Sequence, residues 1–179
     1  MSVKKILVAP DPILNKKCDK VGEMNSEIEG IVKDLKDTLD NSKTPGAGLA
    51  APQIGYNKKV CIIREFFTDL KNPNKETFEE HVLINPEIRT TSGKTGMDWE
   101  GCLSIPDSFG MVKRTKKIKV KALNEKGEKV SFTATDFFAR EIQHEVDHLD
   151  GILFDSKVVG KMYTDKELDE LYEVKGTSL

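Results

Sequence analysis

Gln143-His144-Glu145-Val146-Asp147-His148 is the stretch on which the reading turns. It lies inside residues 135–149, where Phe138, Ile142, Val146 and Leu149 recur at helical spacing and Gly151 follows as a stop. On such a helix His144 and His148, four residues apart, present their imidazoles on one face with Cβ atoms about 5–6 Å apart. Both can reach one cation while Glu145 projects beside it as a base. A catalytic zinc-like site takes three protein ligands and keeps one position open, so a further donor must come from elsewhere in the chain.

Cys102 is the candidate for that donor. It stands in Glu100-Gly101-Cys102-Leu103-Ser104-Ile105-Pro106, where Gly101 and Pro106 frame a strand-like turn that can fix a thiol. The other cysteines, Cys18 and Cys61, have no such framing, and an odd number cannot pair completely. A thiolate with two imidazoles is a soft donor set, suited to Fe²⁺ or Zn²⁺ over Mg²⁺. Each residue also has an ordinary reading: His144 as a satisfied core histidine, Cys102 as a small buried apolar side chain, Glu145 as a solvated helix position. Taken together, Cys102, His144, His148 and Glu145 form one catalytic set.

Outward from the motif helix, the remaining elements are short. Residues 25–42 carry Ile28, Ile31, Val32, Leu35 and Leu39 at helical spacing, with Ser26 and Glu29 placed as a capping box. The Gly- and Pro-rich residues 44–55 read as a tight loop feeding a strand at Val60 to Ile63. A second short strand is expected from Val82 to Asn85, with residues 64–81 between them as an exposed loop holding Asn72-Pro73-Asn74. Ile118, Val120 and Ala122 alternate with lysines, and Asn124 to Gly127 turns the chain into residues 129–132 as a hairpin. Thr164 and Glu167 form a capping box for a short closing helix ahead of a polar tail. No repeat or linker divides residues 1–179, which read as a single domain of α+β class.

The bulk properties exclude some partners. With 28 Lys+Arg against 30 Asp+Glu the net charge is −2, so no global field holds nucleic acid. No apolar run approaches the roughly 20 residues that cross a bilayer, and residues 1–10 lack the long apolar stretch of a signal peptide. A cytoplasmic location without membrane contact is expected. The basic run at Lys113, Arg114, Lys116, Lys117, Lys119 and Lys121 reads first as a solvated strand face.

Three segments, Gly46-Ala-Gly-Leu-Ala-Ala-Pro-Gln53, Glu100-Gly-Cys-Leu-Ser104 and Gln143-His-Glu-Val-Asp-His148, resemble the three motifs of peptide deformylases, in that family's order and approximate spacing. Asp11-Pro-Ile-Leu14 and Leu149-Asp-Gly151 extend the resemblance over most of the chain. The resemblance implies small antiparallel β-sheets around a buried central helix bearing the metal motif. It implies removal of the formyl group from the amino-terminal formylmethionine of nascent proteins, with release of formate. One divalent cation per chain would sit on Cys102, His144 and His148, Fe²⁺ in the cell and Zn²⁺, Ni²⁺ or Co²⁺ as alternatives in purified protein. Glu145 would serve as general base and acid, and Gln53 with the backbone N–H of Leu103 would stabilise the oxyanion. Gly48 would touch the substrate main chain, which lies as an added strand, and Asp147 would pair with Arg114 to anchor the motif helix.

Two positions depart from the family's usual pattern. Ala47 stands where relatives carry a larger aliphatic residue, and Asp107-Ser-Phe-Gly110, with Phe109, offers no arginine where many bacterial relatives have one. The methionine pocket should be apolar, with Ile105, Phe138 and Ile142 as candidate walls. Transient contact with the ribosome is a further expectation, since the family meets its substrate there. Three rivals stay open: a metallopeptidase, a closed structural metal site completed by a fourth ligand, and an inactive deformylase fold.

Overall fold

The computed structural model describes residues 3–68, 76–90 and 93–175. A five-stranded antiparallel sheet runs in the order β1-β2-β3-β6-β7, from β1 (Gly48–Ala50), β2 (Val60–Thr68), β3 (Glu76–Thr90), β6 (Lys117–Leu123) and β7 (Lys129–Thr135). A separate hairpin pairs β4 (Thr95–Cys102) with β5 (Ile105–Thr115). Three α-helices accompany them among the described residues: α1 (Ser26–Asp40), α2 (Asp136–Leu149) and α3 (Asp165–Lys175). The class is α+β with antiparallel sheets.

Around Val60 to Ile63 of β2 the large sheet is covered on both faces, and that stretch is apolar without alternation. Val60 and Ile62 join a core with Ile28, Ile31, Leu35 and Leu39 of α1. Cys61 and Ile63 point the other way, into a core with Phe138, Ala139, Ile142 and Leu149 of α2. A strand buried on two faces needs apolar residues at every position, whereas β6, with one solvated face, keeps Lys117, Lys119 and Lys121 exposed between buried Ile118, Val120 and Ala122. The hairpin expected from residues 117–132 is β6–β7, with Lys117 opposite Thr135 and Leu123 opposite Lys129.

Several expectations are corrected. The cap of α1 is Asn25, whose side-chain oxygen accepts from Ile28 N at 3.1 Å, and Ser26 is the first helical residue. Asparagine caps as well as serine, and the bond reaches the third helical N–H, so the helix starts one residue after its cap at Asn25, and Ser26 with Glu29 does not form the expected box. The exposed loop assigned to residues 64–81 is largely strand: β2 continues to Thr68 and β3 starts at Glu76, pairing Phe66 with Phe78 and Glu65 with Glu79. Backbone pairing with a neighbour overrides the low strand propensity of those glutamates. The turn at Asn72-Pro73-Asn74 lies outside the described residues. Residues 44–55 also contain the short strand β1 and a 3-10 turn at Ala51–Ile54.

Two ends behave as their residues require. Thr164 N donates to Glu167 Oε2 at 2.9 Å and Glu167 N to Thr164 Oγ1 at 3.3 Å, the reciprocal box at the start of α3. After α2, Gly151 adopts φ +74°, and a Cβ there would stand 2.8 Å from the backbone of Asn15. Glycine is needed both for the turn and for the close approach.

Candidate metal centre

Helix α2 supplies two of the three donors. His144 and His148 are buried on one face of it, and their rings meet edge to face at 4.9 Å. Cys102 ends β4, where Leu103 and Ser104 turn the chain into β5, and its Sγ lies 3.2 Å from His148 Nε2. The donor atoms of Cys102, His144 and His148 all lie within 4.8 Å of one another. Among the described residues this is the group of His, Cys, Asp and Glu donors close enough to hold one metal ion. Cys18 and Cys61 are buried in the core, and His81 faces Glu65 at 3.2 Å, so none supplies a fourth ligand that would close the site.

The chemistry of these donors fits a cation. Burial pushes His148 well below the ordinary histidine range, so its ring is neutral with a lone pair available. His148 Nδ1 is buried without a hydrogen-bond partner. Burial alone would also lower His144, but its contacts with Cys102 and Glu100 win and raise it well above the usual value. A cation bound by these donors would displace any proton they share, so binding is coupled to pH.

A buried ionic network aims these ligands. Glu100, 5% exposed, accepts from Arg114 Nε at 2.9 Å, Arg114 Nη2 at 2.8 Å, Arg140 Nη1 at 2.6 Å and His144 Nδ1 at 3.1 Å. Desolvation opposes ionisation of Glu100, yet its bonds from Arg114 and His144 hold it well below the ordinary carboxylate range. A carboxylate only accepts, so His144 must donate from Nδ1 and turn Nε2 towards Cys102. Arg114 also donates to Asp147, which accepts in addition from Lys157 Nζ at 2.6 Å. The second arginine, Arg140, reaches the carbonyls of Val112 and Gly96, both at 3.0 Å, and so ties α2 to the β4–β5 hairpin.

The remaining residues surround a cavity of about 370 Å³. Glu145, 3% exposed, lines it with Oε2 unpartnered, and burial pushes its carboxyl up to about 8. Gln53 lines it from the 3-10 turn; Ala50 N donates to its Oε1 at 2.8 Å, which leaves Nε2 to donate to Ser104 Oγ at 3.2 Å and to approach Cys102 Sγ at 3.7 Å. Those bonds fix which end of the amide faces the thiol. Ala47, Gly48, Leu103 and Ile105 also form the wall. A Cβ on Gly48 would stand 2.6 Å from Glu145 Oε1, so only glycine lets β1 pass that close to the carboxylate. Because β1 ends the sheet, its second edge has no strand partner among the described residues.

Phe138 and Ile142 do not line the cavity; both are packed in the core beneath the large sheet. The apolar spacing on α2 marks its core face, and the cavity is met by Phe137, Glu141, His144 and Glu145 instead. Sequence reasoning gave no role to Glu100, Arg140, Ser104, Phe137 or Glu141. A usable signal was present for Arg140: an arginine inside the apolar helix stretch Phe138-Ala139-Arg140 requires a buried acid, and Glu100 stands in the cysteine motif.

Comparison with known proteins agrees with this geometry. A family profile described as Polypeptide deformylase matches residues 3–162. A peptide deformylase from Heliobacterium modesticaldum is 44% identical over 158 residues, 88% of this chain and 95% of the relative. Peptide deformylase 2 from Clostridium perfringens is 42% identical over 173 residues, covering 97% of this chain and 99% of the relative. Among solved structures, a Met-Ala-Ser-bound peptide deformylase from Acinetobacter baumannii superposes with a TM-score of 0.78 at 33% identity, over 88% of this chain and 100% of that one. An actinonin complex of the Synechococcus elongatus peptide deformylase gives 0.76 at 32% identity, over 100% of this chain and 89% of that one. By these matches and by the motifs that carry the cavity, the chain belongs to the polypeptide deformylase family.

Proposed function

We propose that the chain removes the N-formyl group from the formylmethionine that begins newly made proteins, using one divalent cation held by Cys102, His144 and His148. The observation that carries this reading is the convergence of those donors with Glu145 and Gln53 on one cavity beside an unpaired strand edge. The peptide lies along β1 as an added strand, with Gly48 offering its main chain. When bound, the cation supplies Lewis acidity, lowering the pKa of a water molecule and drawing charge from the formyl carbonyl.

Glu145 handles the protons. Its buried, unpartnered Oε2 accepts one from the attacking water and returns it to the peptide nitrogen as the C–N bond breaks, giving formate and a free amine. A carboxyl pushed up to about 8 is matched to both transfers near neutral pH. Gln53 Nε2 and the Leu103 N–H donate to the oxygen that becomes negative in the tetrahedral intermediate, from positions set before the charge forms. The Glu100–Arg114–Asp147 network holds His144 and α2 in place throughout.

The soft donor set suits Fe²⁺, Zn²⁺, Ni²⁺ or Co²⁺ over Mg²⁺, and the family resemblance points to Fe²⁺ in the cell. Activity should therefore decay faster in air than under argon as the metal or Cys102 oxidises; equal decay counts against iron. No helix of the described residues is long and apolar enough to cross a membrane, in keeping with a cytoplasmic enzyme that meets nascent chains in passing contact with the ribosome. The testing experiment is formate release from formyl-Met-Ala-Ser by anaerobically purified protein, beside Glu145→Ala with its metal content measured. Release lost in a variant that keeps its metal supports the reading; no release by metal-replete wild type refutes it.

A further inference from the structure

One wall of the cavity carries an acid that the reaction does not use. Phe137, Glu141 and Glu145 follow at four-residue spacing on α2 and share a stripe with His144. All four line the cavity. The metal donors occupy the His148 end of that stripe, so the Phe137 end is the part of the wall left for a substrate side chain.

The Glu141 carboxyl makes no hydrogen bond or ion pair among the described residues. No lysine or arginine lines the cavity among the described residues; its wall mixes the small or apolar Ala47, Leu103, Ile105 and Phe137 with the polar Thr44 and Ser108. No side chain of the wall holds the carboxyl by a hydrogen bond or ion pair, and His144 acts on it only through its charge, so it is left to meet an incoming group. With the formyl carbon beside Glu145, the first side chain branches two bonds away, and one of methionine length spans about one helical turn, the distance that separates Glu145 from Glu141.

We propose that Glu141 is a specificity-determining residue that reads the first side chain of the formylated peptide, letting the pocket accept a hydrogen-bonding side chain as well as a hydrocarbon one. This rests on the deformylase reading above. An apolar pocket would reject a buried amide that finds no partner by roughly tenfold to a hundredfold. A carboxyl in the wall offers that amide a partner in either protonation state, because glutamine both donates and accepts. Burial raises the Glu141 carboxyl, an effect partly offset by the nearby His144.

The test compares kcat/KM for formyl-Met-Ala-Ser, formyl-norleucine-Ala-Ser and formyl-Gln-Ala-Ser, whose first side chains match in length and differ in polarity. Metal-replete wild type should turn over the glutamine peptide within about tenfold of the norleucine peptide. Glu141→Leu should widen that gap at least about tenfold further, and Glu141→Gln should keep it near wild type. A purely structural role would change all three substrates in parallel and leave the ratio alone. A wild-type gap beyond about a hundredfold, or a ratio unmoved by Glu141→Leu, overturns the proposal. Should Glu141→Leu fail to fold, the wild-type ratio and Glu141→Met decide it. Wild-type turnover of formyl-Met-Ala-Ser is the separate control: its absence sinks the deformylase reading, whereas turnover with an unmoved ratio sinks only the role of Glu141.

Discussion

Replacing Glu100 by glutamine removes one negative charge from a site where three cationic or donating side chains converge. Wild-type Glu100 accepts four hydrogen bonds, from Arg114 twice, Arg140 and His144. Breaking a buried ion pair from one side costs about 3–5 kcal/mol, because the partner charges stay buried. Here Arg114 keeps Asp147 and Arg140 keeps the Val112 and Gly96 carbonyls, so the lower end, about 3 kcal/mol, is expected. For a chain of this size that lowers the melting temperature by about 6–12 °C. The pH dependence has a definite sign. Glu100 is held below its ordinary value of 4.5, so its contribution is complete above that pH and fades as pH falls below it. Urea unfolding of metal-free wild type and Glu100→Gln should differ by about 3 kcal/mol at pH 7, with the difference shrinking as pH drops below about 4.5. Metal affinity should fall about 10–100-fold as His144 loses its fixed tautomer. A stability loss under about 1 kcal/mol with unchanged metal affinity would refute the reasoning.

Other substitutions probe other links. Gly48→Ala should lower kcat/KM about 100-fold with the fold intact, since the new Cβ pushes Glu145 aside; circular dichroism and steady-state kinetics check both halves. Glu145→Ala should keep its metal and lose about 100–10,000-fold in kcat, and an equal loss of metal would show that Glu145 acts through the site's assembly instead. Leu35→Ala, at a fully buried position of α1, should cost about 2–5 kcal/mol in urea unfolding with little change in kcat per folded molecule.

The two long helices and the β6–β7 hairpin were legible because each is amphipathic, so its period is written in side chains. The donors Cys102, His144 and His148 were legible because metal chemistry limits the residue types and helix geometry limits the spacing. The β4–β5 hairpin was not, since its apolar members are few and the position buried in β4 is the charged Glu100, which has no periodic signature. The long arms of β2 and β3 were hidden for a similar reason: Glu65, Glu79 and Glu80 read as loop until the strands pair. On α2 the apolar period identified the core face through Phe138 and Ile142, and the pocket face, one residue away at Phe137 and Glu141, carries an acid that periodicity cannot see.

The central claim is that Cys102, His144 and His148 hold the cation on which deformylation depends. Its most direct test is formate release from formyl-Met-Ala-Ser by metal-stripped protein titrated anaerobically with Fe²⁺. Release should be absent at the start, rise in proportion to added metal and level off at one equivalent per chain, while Cys102→Ala stays flat throughout. Full release by the metal-stripped chain, or an unaltered titration in Cys102→Ala, would contradict the account.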